Sequence, residues 1–278
     1  MADVAGVARA LGASFVALGA CDALLRACGV RLATRWPALH AAANAAVCAL
    51  ALPGVAATVA DPLHSMDARA YPPTHAAASP GALCVVLALH AYHIASFALT
   101  RADAFHHVLF MPTLGACGFA FEWGALRQFL TFFICGLPGM LDYAAICLAH
   151  AGAIDAPTRR AVTARLSVWL RAPGLLFEAT LHCVALAHGT TTVPRPVAAL
   201  VAALVAFNAM FYAASSVRSE AAHRTKNPSR RSLPRQNAAD TAYTADEADE
   251  ADEADEADEA DEAYGAVRSR ATCATCAR

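Results

Sequence analysis

Three stretches of this chain, Trp36 to Ala60, Ala70 to Thr100 and Pro196 to Val217, contain no Asp, Glu, Lys or Arg. A helix needs about 20 mainly apolar residues to cross a bilayer, and it is one of the few structures that satisfies every backbone polar group without water. Spans are expected within these runs at 38–60, 81–99 and 196–217, and four more apolar stretches follow the same logic at 6–25, 106–122, 126–149 and 168–188. The chain is 58% hydrophobic and only 16% charged, against about 25% charged in ordinary soluble domains. A soluble helical domain would also need polar faces that these segments lack. The sequence therefore predicts an all-α, polytopic membrane protein with about seven transmembrane helices in residues 1–217. A tail over 218–278 follows it.

Charge supplies the orientation. Arg26, Arg31 and Arg35 follow the first span, Arg159, Arg160 and Arg165 follow the fifth, and Arg218, Arg224 and Lys226 begin a basic stretch after the seventh. The alternate connections hold Arg69 with Asp61 and Asp67, then Glu122, then Arg195. Seven spans with the N-terminus lumenal or extracellular and the C-terminus cytoplasmic put the basic connections on the cytoplasmic side. The first apolar run contains Asp22 and ends at Arg26 without a small-residue cleavage site, so it reads as an uncleaved helix. In the tail, Ala-Asp-Glu repeats six times after the basic stretch, and such a self-repelling block with no apolar stripe is expected to be disordered. Most cysteines fall in or beside spans, which argues against structural disulfides, and Cys273-x-x-Cys276 reads as chance spacing.

Ionisable groups at membrane depth are expensive, so each is a functional candidate. His90 and His93 lie three apart on the third span and can share a site. Asp103-x-x-His106-His107 opens the fourth, where an aspartate can accept a ring N–H and leave the other nitrogen basic. In the fifth, Gly136-Leu137-Pro138-Gly139 predicts a bend just before Asp142. The sixth carries Glu178 and His182, four apart. Asn44 and Asn208 are read as packing groups that bridge helices. These residues suit three kinds of chemistry. His106 and His107, with Asp103 and Asp142, can serve proton abstraction in an acyl transfer or hydrolysis. His90, His93, Glu178 and His182 can line a polar cavity or, with Asp103, His106 and His107, hold zinc or iron in a metal-dependent intramembrane hydrolase. The same groups can form a satisfied network in a lipid transporter, lipid-homeostasis protein or structural membrane protein. No phosphate-binding glycine loop or base-stacking surface is present, so neither nucleic acid nor a nucleotide cofactor is expected.

Tyr92-His93, Asp103-x-x-His106-His107 and the Gly-Leu-Pro-Gly-Met-Leu-Asp-Tyr bend together resemble the TLC-domain family of multi-span membrane proteins, over residues 38–217. In its ceramide synthase branch, a histidine pair and later aspartates are implicated in moving an acyl group from a coenzyme A thioester to a lipid amine in the endoplasmic reticulum. The resemblance implies that His106 and His107 match the histidine pair and that Asp142 matches an acidic position one helix later. It further implies an endoplasmic reticulum location, membrane lipids as partners and acyl-CoA as co-substrate. The later His-Asp pair of the synthases is absent, which brings the chain closer to branches linked to lipid composition or sensing.

Overall fold

The apolar runs fold as helices, and no strand forms among the described residues. The computed structural model describes residues 4–226. The acidic repeat, Cys273 and Cys276 lie outside them. In chain order the helices are α1 (Val4–Ala27), α2 (Leu32–Ala60), α3 (Gly81–Ser96), α4 (Arg101–Phe110), α5 (Ala116–Ala120), α6 (Leu126–Thr131), α7 (Leu137–His150), α8 (Ala156–Leu166), α9 (Ala172–His188) and α10 (Arg195–Lys226). Several join end to end through π-helical turns. Six helical runs are long and apolar enough to cross a membrane: Val4–Ala27, Leu32–Ala60, Ala76–Ser96, Leu126–His150, Ala156–His188 and Arg195–Arg224. The stretch expected as a fourth span is instead two short helices, α4 and α5, separated by a π-turn at Met111–Gly115 that contains Pro112.

Proline explains where the helices widen. Pro138 and Pro173 each follow by two residues a five-residue π-turn, at Phe132–Gly136 and Ser167–Arg171. A proline ring clashes with the carbonyl one turn back and cannot donate to it, and a wider turn moves that carbonyl aside. Where a bend was expected, at Gly136 to Gly139, the structure has this widened turn ending at Gly136. It also lets α7 approach α2 closely: a Cβ on Gly139 would lie 2.5 Å from the side-chain nitrogen of Asn44. A Cβ on Gly174 would meet the Phe133 ring at 2.2 Å, so α9 and the Phe132–Gly136 turn touch through the absence of a side chain.

Buried polar groups fix the rest of the packing. Gln128 is almost fully enclosed. It accepts from the Gly54 N–H at 2.7 Å and donates to the carbonyls of Ala76 at 2.7 Å and Ser79 at 3.1 Å. One side chain thus joins α6 to α2 next to Pro53 and to the turn that starts α3. Gln128→Leu keeps the volume but strands one donor and two acceptors, and unmade buried hydrogen bonds cost about 1–3 kcal/mol each. The expected outcome is a loss of about 3 kcal/mol or more in equilibrium unfolding in detergent, and an unchanged stability would contradict this role.

Helix α1 is exposed along most of its length, with Val4, Val16 and Leu24 facing outward. Its one fully buried ionisable group is Asp22. Asp22 pairs with Arg26 one turn on, lies 3.4 Å from Arg35 of α2 and accepts from the Tyr92 hydroxyl of α3 at 3.1 Å. The carboxylate is thus the point at which the first three helices are held together.

Contacts between connections sort the helix ends into two groups. Thr34 at the start of α2 touches His150 at the end of α7 at 3.1 Å, and Arg160 of α8 donates to His223 of α10 at 3.2 Å. At the other end, the Leu126 N–H reaches the Ser65 carbonyl at 3.1 Å and the Thr190 hydroxyl reaches the Leu63 carbonyl at 3.3 Å.

Candidate functional site

A cavity of about 110 Å³ opens among α3, α4, α6, α9 and α10. For scale, a dry apolar cavity of about 150 Å³ admits benzene. Leu83, Val86, Leu114, Leu130, Ile134 and Val201 supply much of its wall. Into this apolar space project His90, His106, Tyr212, Glu178, His182 and Asn208.

The first three form a directed hydrogen-bond chain. His90 Nδ1 lies 2.8 Å from the Val86 carbonyl, which can only accept, so this nitrogen carries the hydrogen. In an uncharged ring, His90 Nε2 is then bare and accepts from His106 Nε2–H at 3.1 Å. His106 Nδ1 is bare in turn and accepts the Tyr212 hydroxyl hydrogen at 3.1 Å. Each bond fixes the tautomer of the next ring. The chain ends at the Tyr212 oxygen, whose lone pairs can accept a hydrogen bond.

The other three are acceptors left open. His182 Nδ1 donates to the main-chain carbonyl of Glu178 at 3.1 Å, the usual one-turn bond of a helical histidine. That nitrogen is also 3.1 Å from Glu178 Oε1, but its one hydrogen is already committed to the main chain. Neither carboxyl oxygen of Glu178, nor His182 Nε2, nor Asn208 Oδ1 has a hydrogen-bond partner among the described residues, although all three side chains are 1–2% exposed. Buried polar atoms are nearly always paired, and these three side chains line one cavity. Arg127 lines the same cavity and spends two of its donors on the carbonyls of Ala78 and Phe121.

The structure separates several residues that the sequence groups together. His107, next to His106, is not part of the cavity wall: its ring packs edge-on against the His90 ring with centroids 5.0 Å apart, and its Nε2 lies 3.1 Å from His93 Nδ1. His93 stacks on Trp36 with ring centroids 3.8 Å apart, and Trp36 packs on His40, which stacks on Tyr143 at 3.9 Å. This second aromatic and imidazole cluster joins α2, α3, α4 and α7. Asp103 forms a capping box with Thr100 at the start of α4, accepting from its N–H at 3.0 Å and its hydroxyl at 2.8 Å. It makes no hydrogen bond to a histidine. Asp142 is half-buried and accepts from the Thr163 hydroxyl of α8 at 2.5 Å. Among the expected residues, then, His90, His106, Glu178 and His182 meet at the cavity, His107 and His93 pack in sequence behind His90, and Asp103 and Asp142 lie elsewhere. Tyr212 was not among the expected site residues, and Asn208 was expected only to pack. They sit four apart in a charge-free run, a spacing that puts both on one helix face.

Among the described residues no three His, Cys, Asp or Glu side chains gather into a set that could hold a metal ion. The eight described cysteines are unpaired. Comparison with protein families, with curated proteins and with solved structures finds no match to this chain.

Proposed function

We propose that this chain is an integral membrane protein that takes a membrane lipid into the α3–α4–α9–α10 cavity and acts on it there, with acyl transfer to a lipid hydroxyl or amine as the reaction. The observation that carries the reading is the directed chain from Tyr212 through His106 to His90 at the wall of an apolar cavity. A lipid hydroxyl that donates to the Tyr212 oxygen can lose its proton as it attacks an acyl thioester carbonyl. The Tyr212 hydrogen passes to His106 Nδ1 and the His106 Nε2 hydrogen to His90 Nε2. The C–S bond then breaks, and the thiolate recovers the proton as the chain resets. General-base assistance of this kind contributes about 10²- to 10⁴-fold. Resemblance to the TLC-domain family supports acyl-CoA as the donor and the endoplasmic reticulum as the resident membrane.

The topology proposed with this function has seven crossings. The α4–α5 segment, residues 101–120, would span about 30 Å at 1.5 Å per residue. It starts beside the end of α3, and the loop after it lies against Ser65 and Met66 beyond α2. That course supports a crossing from one group of helix ends to the other. The end that carries Arg31, Arg35, Arg159 and Arg160 is then cytoplasmic.

Lipid extracted with the purified chain tests the cavity. Leu114→Trp fills it from the π-turn side, and the amount of lipid recovered by mass spectrometry per mole of folded protein is expected to fall at least fivefold. Equal recovery would remove the cavity as the lipid site.

A further inference from the structure

The open acceptors of Glu178, His182 and Asn208 are not used by the Tyr212–His106–His90 chain, yet they belong to side chains that line the same cavity. Asn208 stands one turn from Tyr212 on α10, so their backbone positions are about 6 Å apart along the axis. Glu178 and His182 stand one turn apart on α9, which packs along α10. We propose that Glu178, His182 and Asn208 form a headgroup subsite that accepts hydrogen bonds from a second hydroxyl of a neutral lipid, while Tyr212 receives the first. The inference rests on the lipid reading above and adds the chemical class of the lipid.

Charge and hydrogen-bond polarity select that class. A carbonyl oxygen, an imidazole nitrogen without hydrogen and a carboxyl group call for donors, so an ester or ether oxygen alone leaves them unsatisfied. A phosphate or carboxylate headgroup could take a hydrogen bond from the open Arg127 Nε, but it would set its charge against the Glu178 carboxyl and leave Asn208 Oδ1 and His182 Nε2 without a donor. An ammonium headgroup would share the cavity with the Arg127 guanidinium. An uncharged lipid with two neighbouring hydroxyls meets neither conflict. A site built on hydrogen bonds to a hydroxyl rejects the analogue that lacks it far more strongly than an apolar pocket rejects a missing methylene.

The test uses the full chain in lipid nanodiscs and a monoacylglycerol with a photoreactive diazirine at mid-chain, with labelled residues mapped by peptide mass spectrometry. Labelling is expected at cavity residues such as Leu114, Leu130 and Val201. Unlabelled monoacylglycerol is expected to compete at least tenfold better than the methyl ester of the same fatty acid or a long-chain alkyl amine. In Glu178→Leu with Asn208→Leu that preference is expected to shrink to about twofold or less while labelling of the cavity persists. Cavity labelling that competes equally with the ester overturns the subsite and leaves the lipid reading standing, and stronger competition by the amine overturns the neutral-hydroxyl assignment. Absence of cavity labelling by any lipid overturns both. The comparison of competitors on the unaltered chain needs no variant, so a misfolded double variant does not remove the test.

Discussion

His106→Ala is expected to lower turnover of the lipid substrate by about 100-fold or more, while His107→Ala stays within a few-fold of the unaltered chain. The two side chains are neighbours in sequence, but only His106 faces the cavity and links Tyr212 to His90. His107 packs edge-on against His90 but hydrogen-bonds to His93, outside the Tyr212–His106–His90 chain, so its loss affects packing rather than proton transfer. Tyr212→Phe retains the ring and removes the hydroxyl, leaving His106 Nδ1 with no donor, and should match His106→Ala in effect. His90→Ala removes the last proton acceptor of the chain and should shift the pH profile of turnover as well as its rate. Steady-state turnover in nanodiscs at equal amounts of folded protein reads all four. Equal losses for His106→Ala and His107→Ala would mean that the histidine pair acts as a unit, contrary to this geometry.

The second large effect concerns assembly. Asp22→Leu is expected to destabilise the protein by about 3–5 kcal/mol, the usual cost of removing one partner from a buried ion pair. The half-buried Arg35 and the Tyr92 hydroxyl lose their acceptor together. Because α1 is otherwise largely exposed, its packing on α3 depends on this group to an unusual degree. Equilibrium unfolding in detergent measures the cost, and cysteine crosslinking between α1 and α3 should weaken in parallel. A variant as stable as the parent would show that apolar packing alone seats α1.

Helix positions were readable in the sequence because uninterrupted apolar runs admit few other structures in a membrane. The predicted spans 38–60 and 126–149 correspond to the observed Leu32–Ala60 and Leu126–His150. The 106–122 stretch was harder, because Pro112 sits inside it and divides it into α4 and α5. Periodicity says nothing of where the widened turns before Pro138 and Pro173 place the following face.

The site was only partly legible for a related reason. His90 with His106, and Glu178 with His182, stood out as ionisable groups at membrane depth. Tyr212 carries no charge and its partner lies 106 positions away, so no local spacing announces the bond. Asp103 and Asp142 satisfied a local rule for orienting histidines, yet Thr100 and Thr163 were nearer partners in the folded chain. Asp22 looked like an interruption of the first span because Tyr92, which donates to it, is 70 residues away.

The most direct test of the central claim is quantitative lipid mass spectrometry on membranes from cells that make equal amounts of the unaltered chain, His106→Ala or His107→Ala. The account predicts that one neutral, hydroxyl-derived lipid class rises with the unaltered chain and with His107→Ala and stays at background with His106→Ala. A lipid profile that none of the three proteins changes, or that all three change alike, would contradict it.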